Sequence, residues 1–188
     1  MPQTLRDIKE LLAGAGLNPK KRLGQNFLHD GNQMRRIVDA AAIVPGERVL
    51  EVGAGTGALS ERVLEAGAQL VAVEIDRDLE PILRDRLAAY GPRVRLLFAD
   101  VLHGKHQLNP RVAEALGRQP FKLVANLPYQ IASPLLVNLA VEPAGMSLAV
   151  VTIQLEVAER LAAVPGGKDY GPLSVMVQAM CTVERLAK

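Results

Sequence analysis

The sequence of 188 residues has no tryptophan, three tyrosines, three phenylalanines and one cysteine. With so few large aromatic side chains, the core must be built from Val, Leu, Ile and Ala. Cys181 has no second cysteine to pair with, which excludes an intramolecular disulfide, a Cys-rich zinc site and a C-x-x-C redox motif. A single cysteine also fits a reducing cytoplasm.

Long apolar runs are missing as well. None approaches the roughly 18 residues that a membrane-spanning helix needs. The N-terminus has no apolar signal-peptide region and carries Asp7 and Glu10. The three histidines do not lie at metal-ligand spacing from carboxylates, so no metal site is expected. These absences predict a cytoplasmic globular protein that does not associate with membranes.

Charge is distributed unevenly along the chain. Residues 1–36 hold seven basic and three acidic side chains, whereas residues 37–188 hold 15 basic and 17 acidic ones. A basic N-terminal arm on a near-neutral body predicts a polyanionic partner that is met from one side. A solvated tail without a partner is the alternative.

The chain divides into an N-terminal segment, residues 1–45, and a larger domain, residues 46–188. The segment has helical periodicity over residues 4–13 and 31–42, on either side of a polar, basic stretch. In the domain, the apolar runs predict strands at Arg48–Val52, Gln69–Glu74, Val94–Ala99, Phe121–Ala125 and Leu148–Gln154, with a sixth beginning at Thr182–Leu186. Helices are predicted at Ala58–Ala66, Asp78–Tyr90, Pro110–Leu116, Ser133–Ala140, Glu156–Ala163 and Leu173–Met180.

This alternation predicts an α/β fold with a mostly parallel, doubly wound sheet covered by helices on both faces, because strands that are apolar throughout must be buried on both sides. Ligands of such sheets bind beyond the carboxyl ends of the strands.

A glycine-rich turn follows the first predicted strand. Residues 51–57 read E-V-G-A-G-T-G, in which the third glycine comes one residue earlier than in a dinucleotide site. G-x-G-x-G after an acidic residue is typical of S-adenosyl-L-methionine (AdoMet) binding in Rossmann-like methyltransferases. A tight turn in a non-binding domain is the alternative, and an NAD-dependent oxidoreductase would rest on this turn and Glu74 alone.

Carboxylates end the next two strands. Glu74 stands where a carboxylate accepts hydrogen bonds from the ribose hydroxyls of a nucleoside. Asp76 is interpreted mainly as a helix cap. Asp100 can accept a hydrogen bond from an adenine amino group or form an Asx turn, and its place beside Glu74 favours the first role.

Asn126-Leu127-Pro128-Tyr129 follows the fourth strand. A nucleobase amino nitrogen is a poor nucleophile because its lone pair is delocalised into the ring. The Asn126 side-chain oxygen and the Leu127 carbonyl can accept its two N–H groups. Pro128 stiffens the turn and has no N–H, and Tyr129 offers a ring on which a flipped base can stack. A proline turn without function is the alternative.

Together these motifs resemble the ribosomal RNA adenine N6-dimethyltransferase family, over about Lys20 to Thr182. The most specific matches are Arg22–Leu28 (R-L-G-Q-N-F-L), Gly53–Gly57, Asn126–Tyr129 continuing into Ser133–Leu135, and Lys168–Val175. The resemblance implies a Rossmann-like class I AdoMet-dependent methyltransferase that dimethylates two adjacent adenosines near the 3′ end of small-subunit rRNA. It also implies a monomer that acts during ribosome biogenesis on a pre-30S-like particle.

The resemblance also assigns residues. The cofactor-binding set is Asn26, Leu28, Gly53, Gly55, Glu74, Asp100 and Asn126, and the catalytic set is Asn126, Leu127, Pro128 and Tyr129. Members of the family continue past the position of Lys188 into a last sheet hairpin and a helical lobe that helps hold RNA. We therefore expect the last strand and that lobe to be absent from residues 46–188.

The cations Lys20, Lys21 and Arg22 stand immediately before the segment that would cover the cofactor. We expect them to bind phosphates that flank the target adenosine, with little effect on AdoMet affinity. Two further hypotheses remain open, a large-subunit rRNA methyltransferase of the macrolide-resistance type and a ribosome-assembly binding factor with little catalysis.

Overall fold

The computed structural model describes residues 5–20, 23–25, 27–104, 107–141 and 145–186. The helices are α1 (Leu5–Gly14), α2 (Gly31–Ala41), α3 (Ala58–Glu65), α4 (Glu80–Leu87), α5 (Pro110–Leu116), α6 (Ala132–Ala140), α7 (Leu155–Leu161) and α8 (Pro172–Gln178). The strands are β1 (Arg48–Val52), β2 (Gln69–Glu74), β3 (Val94–Phe98), β4 (Leu102–His103), β5 (Gln107–Leu108), β6 (Phe121–Asn126) and β7 (Met146–Thr152). Short 3-10 turns cover Arg77–Leu79 and Ala88–Arg93.

The main sheet has the strand order β3-β2-β1-β6-β7, and every neighbouring pair is parallel. The chain moves outward from β1 through β2 to β3 and then crosses to β6 on the other side of β1. The carboxyl ends of β1 and β6 therefore flank the switch point where such sheets bind ligands. The predicted doubly wound parallel fold is confirmed.

Two apolar cores cover the faces of the sheet. Leu50 and Val52 of β1 pack into a core with α5, α6, α7 and α8, while Val49 packs into the opposite core with α1, α2, α3 and α4. Neighbouring residues of a strand point to opposite faces, so one short apolar run supplies both cores. This explains why the strands are apolar throughout.

The N-terminal helices belong to the second core. Ile8 and Leu12 of α1 and Met34 and Ile37 of α2 are buried in the same cluster as Val49. The Asp30 side chain caps α2 by accepting from the backbone N–H groups of residues 32 and 33. The proposed boundary at residue 45 therefore separates sequence patterns, and it stays a prediction as a domain boundary.

Three features differ from the sequence predictions. Residues 182–186 have no regular structure and pair with no described strand, so the predicted sixth strand is wrong over that range. A strand needs a neighbour to take its backbone hydrogen bonds, and sequence propensity supplies none. The helix predicted over Asp78–Tyr90 is divided into a 3-10 turn, α4 and a second 3-10 turn. The small antiparallel hairpin of β4 and β5 was not predicted.

Among the described helices, none combines the length and the apolar character needed to cross a lipid bilayer.

Candidate active site

A cleft opens at the carboxyl ends of β1, β2 and β6. Its floor is the glycine turn after β1, one wall is the end of β2, and the opposite wall is the turn after β6. Residues from the N-terminal segment form a further wall. The cleft residues that the sequence analysis singled out are Leu28, Gly53, Gly55, Glu74, Asp100, Asn126, Leu127, Pro128 and Tyr129.

The glycine turn approaches its neighbours too closely for side chains. Gly53 has φ 77°, and a Cβ there would lie 3.2 Å from the Pro128 ring. Gly55 has φ 59°, and a Cβ there would lie 3.1 Å from the Phe27 ring. Both positions therefore need glycine for conformation and for space. The turn is held because the Gly53 N–H donates to the Val73 carbonyl at 2.9 Å.

The Glu74 carboxylate is fixed at the base of the cleft, with only 5% of the residue exposed. Its Oε2 accepts from the Gly55 N–H and its Oε1 from the Asp76 N–H, both at 2.8 Å. Burial raises the pKa of Glu74 above its ordinary value, against the effect of these hydrogen bonds. Each oxygen keeps a second lone pair with which to accept a hydroxyl.

Glu51, which the sequence analysis did not treat as a site residue, also lines the cleft. The residue is 1% exposed, and Ser60 Oγ donates to Glu51 Oε2 at 2.5 Å. Burial raises the pKa of Glu51 to about 8, and the nearby Glu74 contributes to the rise. Its place immediately before a glycine turn was visible in the sequence, but its burial was not.

Asp100 combines the two roles that were weighed for it. Its Oδ1 accepts from the Leu102 N–H at 2.9 Å, which is an Asx turn. The residue is nevertheless exposed and lines the cleft beside the end of β2. The Asx turn uses only one of the two carboxylate oxygens and fixes the direction of the other.

The turn after β6 is anchored by the neighbouring strand. Thr152 Oγ1 donates to Asn126 Oδ1 at 2.5 Å, and the Leu127 N–H donates to the Thr152 carbonyl at 3.0 Å. Leu127 is buried, while Tyr129 is 46% exposed at the mouth of the cleft. Thr152 was missed because it is 26 positions away in sequence and meets Asn126 only through the register of β6 and β7.

The basic stretch of the N-terminal segment meets the end of β2. Lys20 Nζ donates to Asp76 Oδ1 at 2.6 Å and to Asp78 Oδ2 at 2.5 Å. Asp76 also caps the following turn by accepting from the Asp78 N–H, so its predicted capping role is confirmed and is not its sole role. Lys21, Arg22 and Asn26 lie outside the described residues. The predicted RNA contact of Lys20 stays a prediction, and two carboxylates already engage its ammonium group.

Comparison with known proteins places the chain in a family. Residues 16–188 match the family model described as "Ribosomal RNA adenine dimethylase". "Ribosomal RNA small subunit methyltransferase A" of Geobacillus thermodenitrificans is 46% identical over 171 residues, which are 90% of this chain and 57% of that protein. The protein of the same name from Clostridioides difficile is 40% identical over 180 residues, which are 96% of this chain and 61% of that protein. The chain thus spans about three fifths of these relatives.

Solved structures agree with the fold. A dimethyladenosine transferase from Plasmodium falciparum matches with a TM-score of 0.66 and 26% identity, over 81% of this chain and 52% of that chain. The 23S rRNA methyltransferase ErmE matches with a TM-score of 0.60 and 29% identity, over 75% of this chain and 53% of that chain. The predicted class I methyltransferase fold is therefore confirmed, and the chain belongs to the ribosomal RNA adenine dimethylase family.

Proposed function

We propose that this chain binds AdoMet in the cleft and transfers methyl groups to the N6 amino group of adenosines in small-subunit rRNA, with two adjacent adenosines near the 3′ end as its targets. The observation that carries the proposal is that one cleft brings together the glycine turn, the Glu74 carboxylate and the Asn126–Tyr129 turn. The printed names of its relatives support the choice of the small subunit.

The residues of the cleft fit AdoMet. The side-chain-free Gly53 and Gly55 leave room for the methionine part of the cofactor. Glu74 presents a carboxylate already oriented by two backbone N–H groups, which suits a pair of ribose hydroxyls. Asp100 can accept from the adenine amino group with the oxygen outside its Asx turn. Leu28 supplies an apolar wall, and Asn26 completes the proposed binding set.

When bound, AdoMet supplies an electrophilic methyl group on a sulfonium. The chain must hold the poorly nucleophilic amine in line with it. Asn126 Oδ1 and the Leu127 carbonyl accept the two N–H groups and favour a pyramidal nitrogen, whose lone pair is then available to the methyl carbon. The amine becomes acidic once it is methylated and loses its proton to solvent. No basic side chain is needed for this transfer.

RNA reaches the cleft from its open mouth. The exposed ring of Tyr129 is placed to stack a flipped adenine, and Pro128 beside it keeps the turn rigid. The basic N-terminal arm, through Lys21 and Arg22, supplies cations for the flanking phosphates. For Lys20, Asp76 and Asp78 compete with RNA phosphates. We propose that the protein acts in the cytoplasm as a monomer on a pre-30S-like particle.

The test of substrate choice is methylation of purified small and large ribosomal subunits from a strain that lacks the modification. We expect the label from AdoMet to enter small-subunit RNA as N6,N6-dimethyladenosine. Label in the large subunit would favour the macrolide-resistance type of activity, for which the similarity to ErmE is the supporting observation. Tight subunit binding with AdoMet binding but no label would favour an assembly factor.

The RNA-binding part of the proposal has its own measurement, the salt dependence of RNA affinity. A Lys21→Ala/Arg22→Ala variant should bind small-subunit RNA more weakly, and its log affinity should fall less steeply with log salt, by about 0.7 per lost contact on single strands. A matched Arg35→Ala/Arg36→Ala variant removes the same charge from exposed positions of α2. Equal slopes for the two variants would mean that the basic arm is only a solvated stretch.

A further inference from the structure

A strap from the N-terminal segment crosses the cleft. We define it as residues 20–28, of which 20, 23–25, 27 and 28 are described. At one wall a Cβ on Gly24 would lie 3.7 Å from the Tyr129 backbone nitrogen. At the floor, the Phe27 ring packs over Gly55. The strap therefore reaches the glycine turn and the β6 turn with its middle residues, and its remaining contacts lie at the end of β2.

Those remaining contacts are polar and converge on one carboxylate. Lys20 Nζ reaches Asp76 Oδ1 at 2.6 Å, and Gln25 Nε2 reaches Asp76 Oδ2 at 2.8 Å. Gln25 Oε1 in turn accepts from the Lys20 backbone N–H at 2.8 Å. Asp78 adds a second partner for the ammonium group at 2.5 Å. Two strap residues are thus braced against each other and against the same acid.

The protonation states of this cluster agree with a closed ion pair. The hydrogen bond to Asp76, and then the one to Asp78, raises the pKa of Lys20. Burial works to raise the pKa of Asp76, but hydrogen bonds from Lys20 and Gln25 outweigh burial and lower that pKa. The pair therefore stays charged around neutral pH. The Asp76 side chain is 5% exposed, so solvent screens this ion pair less than an ordinary surface pair.

The cluster is connected to the base of the cleft. The Asp76 N–H donates to Glu74 Oε1, and Glu74 Oε2 accepts from the Gly55 N–H. A continuous chain of hydrogen bonds therefore runs from Gln25 through Asp76 and Glu74 to the glycine turn. A change in the strap end moves the carboxylate that we assign to ribose binding.

We infer that Lys20 and Gln25 are positioning residues that latch the strap over bound cofactor, and that Lys20 does not serve as an RNA contact. This inference rests on the proposed binding of AdoMet in the cleft. Cofactor enters and leaves when the Lys20 ion pairs are open, and their closure lowers its rate of dissociation. The latch acts on the cofactor through Asp76 and the strap, without touching the reacting atoms.

The test measures AdoMet binding to the full chain by calorimetry and its dissociation by stopped flow. Lys20→Met keeps the length of the side chain and removes its charge, while Asp78→Asn weakens the latch from the other side without changing the basic arm. Each should weaken AdoMet affinity about 3- to 20-fold, mainly through faster dissociation. The double variant should be no weaker than Lys20→Met, because both changes break one ion pair. Arg6→Ala, which breaks the exposed pair with Glu10, is the matched control and should bind like the parent.

The opposite result is equally defined. If Lys20→Met and Asp78→Asn bind and release AdoMet like the parent, while Lys20→Met alone lowers the salt slope of RNA binding, Lys20 is an RNA contact and the latch is wrong. Failure of the parent chain to bind AdoMet would instead reject the proposed function. Circular dichroism and thermal unfolding of each variant separate loss of fold from loss of the latch.

Discussion

Replacing Glu74 is the sharpest perturbation of the proposed cofactor site. Glu74→Ala removes the acceptors for the Gly55 and Asp76 N–H groups together with those for the ribose hydroxyls. Loss of a hydrogen bond to a charged group costs about 1.5–3 kcal/mol, which corresponds to about 10- to 150-fold in affinity. Calorimetric titration with AdoMet should show a loss in that range. Glu65→Ala, which removes an exposed carboxylate at the end of α3, should leave affinity unchanged.

The same site predicts a pH dependence of known sign. Burial raises the pKa of Glu74, so its carboxylate is protonated at a higher pH than an ordinary glutamate. Because the ribose hydroxyls need the ionised form, parental AdoMet affinity should fall as pH is lowered through this raised pKa. Glu74→Gln, which cannot titrate, should lack the fall at this position. Unchanged affinity in Glu74→Ala, or the same pH profile in Glu74→Gln and parent, would refute the role of Glu74.

Three further changes address other parts of the cleft. Thr152→Val removes the hydroxyl that orients Asn126 and should lower kcat by about tenfold with little change in KM, whereas Thr152→Ser should retain activity; equal rates in both variants would reject this orientation. Tyr129→Ala should weaken RNA capture by roughly 1–3 kcal/mol, while Tyr129→Phe keeps the stacking ring and much of the activity, as a filter-binding assay with methyl transfer will measure. Folded Glu51, with a pKa of about 8 against an ordinary 4.5, holds more protons than the unfolded chain between these values, so its contribution to stability falls as pH rises through that window. Glu51→Gln should flatten this decline in denaturant titrations, and an unchanged slope would mean that Glu51 is ionised in the fold.

The sequence predicted the strands and the cleft because these depend on local patterns. A parallel strand covered on both faces is a continuous apolar run, and β1, β2 and β6 were placed to within a residue for that reason. The glycine turn and the polar residues after each strand then had to meet at one edge of the sheet. The cleft residues Gly53, Glu74 and Asn126 were thus brought together by topology alone.

What the sequence could not supply were the partners that are distant along the chain. Lys20 looks like a surface cation until the fold places it against Asp76 and Asp78, 56 and 58 positions away. Thr152 is an ordinary strand residue until register pairs it with Asn126. The β4–β5 hairpin was missed because strands of two residues carry no recognisable period.

The most direct test of the central claim is the comparison of AdoMet binding with single-turnover methyl transfer in Asn126→Ala. The claim is that Asn126 holds the target amine, so we expect AdoMet affinity to change little while the rate of methyl transfer to small ribosomal subunits falls by about 10²- to 10³-fold. Binding is measured by calorimetry, and transfer is followed as N6-methylated adenosine in the RNA after quenching. A variant that methylates intact subunits at the parental rate would contradict the account.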